Sequence, residues 1–253
     1  CERGIIRNYN ANNNTGSGYD GFTKTWKDLS VTYDGTVVSS NWGISQTKQD
    51  DTIVLKSHYL QLNGENSWVN LGRVTLTDNL TLDATITVWD IKDGEVDIMA
   101  NFESGGVGLN LKSGVPTFTA YISGVGYVSV NASEAVTKGQ TIRITGTYDG
   151  KTMSLYINGK LEAQKTQVGT VRAPANNTVM AIGANPGGNS AVDMFANISV
   201  YSAKIHNVAL TASEIQNSLD QISTTLWDVS AQQDGSIKAW TTNFVEPYTV
   251  YIG

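Results

Sequence analysis

Residues 80–90, LTLDATITVWD, alternate without interruption. Leu82, Ala84, Ile86 and Val88 project to one side, and Asp83, Thr85, Thr87 and Trp89 to the other. Strict alternation is the signature of a strand with one apolar and one polar face. GVGLNL (106–111) repeats it with Val107, Leu109 and Leu111, and Phe118, Ala120 and Ile122 follow on the next run. In residues 140–165, Asp149-Gly150 and Asn158-Gly159 separate three further strand-like runs, and Asn-Gly tolerates the positive φ angles of a tight hairpin. Such a chain must stack sheets to hide its apolar faces. One segment breaks the pattern. In LTASEIQNSLD (210–220), Thr211 and Glu214 have the spacing of a capping box, and Ala212, Ile215 and Leu219 share one face. The spacing predicts a single short helix over 211–219 in an all-β, two-sheet antiparallel sandwich of jelly-roll type.

Composition narrows the function classes. Lys+Arg 17 against Asp+Glu 23 gives a net charge of −6, and no basic stripe interrupts it, so nucleic acid and bare anionic membranes are poor partners. No apolar run reaches transmembrane length. The single cysteine, Cys1, rules out an internal disulfide, so the core must hold the fold. An N-terminal cysteine leaves open either a lipid-attachment residue or a fragment boundary, and the second is favoured. A boundary falls near residue 222. Residues 1–222 form the main module, and 223–253, with Asp234-Gly235 between two strand-like runs, read as a small hairpin that begins a further domain.

Four segments together resemble the laminin-G-like, concanavalin-A-like jelly roll. They are TWKDLSVTYDGTV (25–37), YLQLNGENSWVNLG (59–72), IRITGTYDGKTMSLYINGKLEA (142–163) and FANISVYSAKIHNVALTASEI (195–215). Within that family, NNNTGSGYDGFTKTWKDLS (12–30) with DIMANFESGGVGLNL (97–111) looks like the modules of Gram-positive bacterial and phage surface proteins. The resemblance implies two antiparallel sheets, one of them concave, packed face to face. It does not supply a function, because the same jelly roll carries lectins, adhesion domains and glucanases.

The stretch DGEVDIMANF (93–102) resembles the active-site strand of laminarinases and lichenases, which carry Glu-x-Asp-x-x-Glu. A retaining glycosidase needs two carboxyls about 5–5.5 Å apart. Glu95 and Asp97 match the first two positions. The partner acid would fall on Met99 in a regular strand, or on Ala100 if the strand bulges, and neither donates a proton. Glu103 is eight residues from Glu95 and too far along the chain. The expectation is no enzyme: Val96 and Ile98 in the core, with Glu95 and Asp97 solvated on the opposite face. His58 and His206 match no zinc spacing, and there is no phosphate loop or nucleophile elbow.

What remains is binding. Sugar recognition uses aromatic faces beside hydroxyls, amides and carboxylates, which makes Trp89, Thr85, Thr87, Asp83 and Tyr121 the candidate ligand residues, with Trp42, Trp68 and Tyr127 behind them. The competing reading is a second packing layer. No cofactor is required. The ion that family modules hold in rim loops is calcium, which takes about six to eight oxygens. Asp20, Asp28 and Asp34 in the early loops, and Asn185, Asn189 and Asp193 in the late one, are the candidates, although Asp and Asn also recur in turns for backbone reasons. The expected function is a non-catalytic binding or adhesion module, extracellular on a bacterial cell or phage virion. Its partner would be a glycan or host-surface protein, beside neighbouring domains of a longer chain or assembly. The alternative is a structural module of such an assembly with no ligand of its own.

Overall fold

The computed structural model describes residues 2–48, 54–188, 191–223, 228–231 and 237–240. Two antiparallel sheets face each other. The first runs β14 (Lys160–Thr166), β13 (Thr152–Ile157), β12 (Thr141–Asp149), β7 (Asn79–Val88), β16 (Asn197–His206), β5 (Val54–Asn63), β4 (Asn41–Lys48), with β1 (Ile5–Asn10) also paired to β16. The second runs β11 (Gly126–Asn131), β10 (Val115–Ile122), β9 (Val107–Lys112), β8 (Glu95–Ala100), β15 (Ala181–Ile182), β6 (Trp68–Asn70), β3 (Gly35–Val38), β2 (Thr25–Trp26). The chain crosses from one sheet to the other between β7 and β8 and again between β11 and β12. β17 (Asp228–Ala231) and β18 (Ile237–Trp240) pair only with each other, while Asp234 and Gly235 lie outside the described residues. No described helix is long and apolar enough to cross a membrane.

The expected meander is present. β12, β13 and β14 are joined at Asp149-Gly150 and Asn158-Gly159, with φ of 50° and 77° at the second turn. The core forms where the inward positions of the two sheets meet. Leu80, Leu82, Ala84, Ile86 and Val88 of β7 are buried, as are Phe118, Ala120 and Ile122 of β10. Each such leucine or isoleucine contributes roughly 1.5–3 kcal/mol on burial. A Cβ built on Gly146 of β12 would lie 2.4 Å from the Phe118 ring, so glycine is required where that ring meets the first sheet.

β7 departs from the half-buried strand that its alternation suggests. Its outward Thr81, Asp83 and Thr87 are buried too. Thr81 and Asp83 are covered by residues 207–218, which include the start of helix α1 (Ala212–Ser223), a helix that extends past the expected end at 219, whereas Thr87 is closed in by Thr141 and Tyr201. The capping box forms as its spacing suggests: the Glu214 amide donates to Thr211 Oγ1 (3.3 Å), and the Thr211 amide donates to Glu214 Oε2 (2.7 Å). Thr81 Oγ1 donates to the Val208 carbonyl (2.8 Å) and accepts from the Leu210 amide (2.9 Å). The Arg143 guanidinium on β12 grips Asp83 through Nη2–Oδ2 (2.6 Å) and Nε–Oδ1 (2.9 Å). Its other nitrogen edges donate to the Ile215 carbonyl (3.0 Å) and Ser218 Oγ (2.8 Å) of α1. Burial alone would raise the Asp83 pKa, but the guanidinium, helped by the Lys204 charge and the Thr145 hydroxyl, outweighs it and holds the carboxyl below its usual range.

Arg143→Met should destabilise the protein by about 3–5 kcal/mol in urea unfolding, because it leaves Asp83 charged and unpaired under the helix. The depressed Asp83 pKa means that the pair stabilises fully above about pH 3.9 and fails as pH falls through the folded-state value. The wild-type advantage over Asp83→Asn should therefore shrink in acid.

Candidate functional site

The strand that resembles a glucanase active site is β8. It bulges between Asp97 and Met99, so that Ile98 and Met99 together oppose Leu109, and Ala100 pairs with Gly108. Ile98 and Met99 are fully buried, and the bulge brings Ala100 back to the outward register of Glu95 and Asp97. The position that would need a second acid thus holds a methyl group. Glu95 is held by Asn110 Nδ2 (2.7 Å) and lies 3.7 Å from Lys112 Nζ. Lys112 also donates to Ser129 Oγ (3.1 Å), which contacts Thr119 Oγ1 (2.8 Å), so a ladder of polar groups runs across β8, β9, β10 and β11.

Val96 and Ile98 join the core as expected, but Asp97 is not solvated. It is 0% exposed, and neither carboxyl oxygen meets a donor. The loop before β16 closes over it: the Asp97 amide donates to the Met194 carbonyl (2.9 Å). Burial first, then the negative charges of Glu95 and Asp193, push its pKa well above the usual carboxylate range. Buried without a donor, the Asp97 carboxyl favours its neutral form.

The proposed ligand residues fall on different faces. Asp83 is committed to Arg143 beneath α1 and has no free edge for a ligand. Thr85 is half-buried beyond it. Thr87 and Trp89 lie past the helix, in a polar and aromatic patch. Thr87 Oγ1 contacts Thr141 Oγ1 (2.6 Å) and donates to the Tyr201 hydroxyl (3.2 Å), which keeps its own proton for another acceptor. Trp89, 46% exposed, donates from Nε1 to Ser199 Oγ (2.8 Å), and Ser199 donates to Gln61 Oε1 (2.7 Å). Tyr201 meets Tyr59 edge to face at 5.7 Å, and a Cβ built on Gly43 would lie 2.5 Å from the Tyr59 ring. Three strands and the end of β7 thus supply three aromatic rings around a hydroxyl and amide network. Sequence reasoning missed Tyr59 and Tyr201. Tyr201 stands at the bulge between Val200 and Ser202, where alternation stops assigning faces.

Tyr121 belongs to the second sheet. Its ring meets Tyr127 at 4.9 Å, and the Arg172 guanidinium lies over it at 5.4 Å. Trp42 is half-buried against Trp26 (5.2 Å) and donates to the Thr23 carbonyl (2.9 Å).

Of the early calcium candidates, Asp28 and Asp34 have carboxylate oxygens engaged by protein donors. The Asp28 carboxylate accepts from the amides of Asn8, Ser30, Thr32 and Tyr33 and from the Ser30 hydroxyl. Asp34 accepts from the Asp28 amide (3.0 Å) and from Lys27 Nζ (3.1 Å). These oxygens organise a loop. Asn185 and Asp193 bridge each other through their backbones, and Asn189 lies outside the described residues. Among the described residues, no group of three or more His, Cys, Asp or Glu side chains is placed to hold a metal.

Residues 63–216 match the family described as the concanavalin A-like lectin/glucanases superfamily, and the chain belongs to it. No curated protein sequence matches it. Solved structures share the fold at low identity. Domain 4 of AbnA, a GH43 extracellular arabinanase from Geobacillus stearothermophilus solved with arabinotriose, aligns with a TM-score of 0.63 and 15% identity, over 86% of this chain and 98% of that one. The binding domain of Paraclostridial Mosquitocidal Protein 1 aligns at 0.64 and 17% identity, over 89% of this chain and 54% of that one. Trypanosoma rangeli sialidase aligns at 0.57 and 13% identity, over 87% of this chain but 33% of that one.

Asp97→Asn should stabilise the protein at neutral pH by about 1–3 kcal/mol, because it removes a buried acid that the unfolded chain ionises freely. The folded-state pKa is raised, so the native protein holds a proton that the unfolded chain releases, and wild-type stability falls as pH rises above about 4. Thermal unfolding of both proteins between about pH 4 and 7 should show the variant's advantage growing with pH.

Proposed function

We propose that this chain is a non-catalytic binding module that presents the Trp89 face of its first sheet to a neutral carbohydrate, on the surface of a bacterial cell or phage virion. One observation carries the reading: Trp89, Tyr201 and Tyr59 gather beside hydroxyl and amide groups on the part of the sheet that helix α1 leaves uncovered. Aromatic faces stack on the C–H faces of sugars, and the polar groups between them exchange hydrogen bonds with ring hydroxyls. The arabinotriose bound to the arabinanase domain and the binding role in the mosquitocidal protein's name agree with this reading. Ala100 at the second acid position and the closed environment of Asp97 argue against hydrolysis.

Stacking one ring contributes about 0.5–1.5 kcal/mol beyond area burial, so single-site affinity is modest and adhesion depends on many copies. Titration of the monomer with arabinan, β-glucan and cell-wall oligosaccharides should give weak binding that multimerisation strengthens. Trp89→Ala should weaken it by up to about tenfold, which is 1.4 kcal/mol. Binding that survives both Trp89→Ala and Tyr201→Ala would place the site elsewhere.

A further inference from the structure

A cleft of about 140 Å³ opens between the connection after β6, the turn joining β8 to β9, and the segment 171–178. Arg73 and Arg172 line it, with Asn101, Asn177 and Thr178, over a partly apolar floor. No Asp or Glu is among its lining residues. Both arginines are exposed, and among the described residues neither forms an ion pair. Two exposed arginines lining one acid-free cleft of a chain with net charge −6 call for an explanation.

Both arginines stand on fixed backbone. Arg172 is held from two sides: its amide donates to the Tyr121 carbonyl (2.9 Å), and its carbonyl accepts from Gly106 (2.8 Å). Its guanidinium rests over the Tyr121 ring at 5.4 Å, a cation–π contact that leaves the nitrogen edges free to donate. The Arg73 carbonyl is held by Arg7 Nη2 (3.2 Å). The neighbouring carboxylate, Glu103, lies by Gly188 and Thr178 and bridges neither arginine.

The polar groups around the pair select the ligand class. Asn101 Oδ1 is taken by the Val107 amide (2.8 Å), which leaves the amide nitrogen as its remaining polar atom. Thr178 Oγ1 donates to the Ala175 carbonyl (2.7 Å) and keeps its lone pairs to accept. Sulfate offers nothing to that acceptor, whereas a sugar hydroxyl donates to it while a carboxylate on the same ring meets the guanidiniums. We propose that this cleft binds an acidic saccharide, one sugar unit carrying a carboxylate, at a site separate from the Trp89 face.

The test is calorimetric titration of the full chain with a disaccharide ending in glucuronic acid, its glucose-ending counterpart, and sodium sulfate. The acidic disaccharide should bind at low salt and weaken as salt is added. Measured on a Trp89→Ala background, which silences the first-sheet site, its affinity should fall at least about tenfold on adding Arg172→Gln or Arg73→Gln, with unchanged thermal unfolding. Equal binding of the neutral disaccharide, or affinity unchanged in both arginine variants, would overturn the assignment. Sulfate competing as well as the acidic sugar would reduce the cleft to a general anion site and overturn the saccharide claim. The Trp89 variant separates this outcome from failure of the carbohydrate reading on the first sheet.

Discussion

The buried Asp83–Arg143 pair decides what the outer face of the first sheet can do. Burying two charges costs several kcal/mol unless each finds its partner and its remaining hydrogen bonds. Here the Asp83 carboxylate is met by Arg143 and Thr145, and the guanidinium edges left over are met by Ile215 and Ser218 of α1. The pair therefore ties the helix to the middle of the sheet as well as joining β7 to β12. What the helix covers is lost to ligands, and what it leaves uncovered, the exposed Trp89 with the partly exposed Tyr201 and Tyr59, is the surface on which the binding proposal rests.

The outer face of the second sheet follows a different logic. Its polar groups largely satisfy one another, from Glu95 through Asn110 and Lys112 to Ser129 and Thr119. Asp97 is the exception, and its neutral form is the one that a donor-free burial favours. The bulge in β8 matters because it carries the outward register from Asp97 to Ala100. The same backbone device that could align a pair of catalytic acids here aligns an acid with a methyl group.

Much of the fold was legible in local pattern. The alternation in 80–90, the two Gly-containing turns of the 140–165 meander and the Thr211–Glu214 capping box all depend on neighbours within a few residues, and all three form. The site was less legible because its facts are long-range. Alternation tells that Asp83 and Asp97 point away from the core, but not that Arg143 with α1 would cover one and the backbone at Met194 would close over the other. It also groups Trp89 with Tyr121 as outward-facing aromatics without saying that they stand on different sheets. Tyr201 was hidden by a bulge. Arg73 and Arg172 stand far apart in sequence, and their shared cleft exists only once the β6 and 171–178 connections meet.

The central claim is that ligand recognition lies on the uncovered end of the first sheet. The most direct measurement is amide and indole NMR of the isotopically labelled chain during titration with a neutral oligosaccharide that binds it. The account predicts that the Trp89 indole Nε1–H resonance shifts first, together with the amides of Ser199 and Tyr201, while the amides of Tyr121 and Tyr127 stay in place. Shifts centred on Tyr121, Tyr127 and Glu95, with the Trp89 indole unmoved, would contradict it and assign the site to the second sheet.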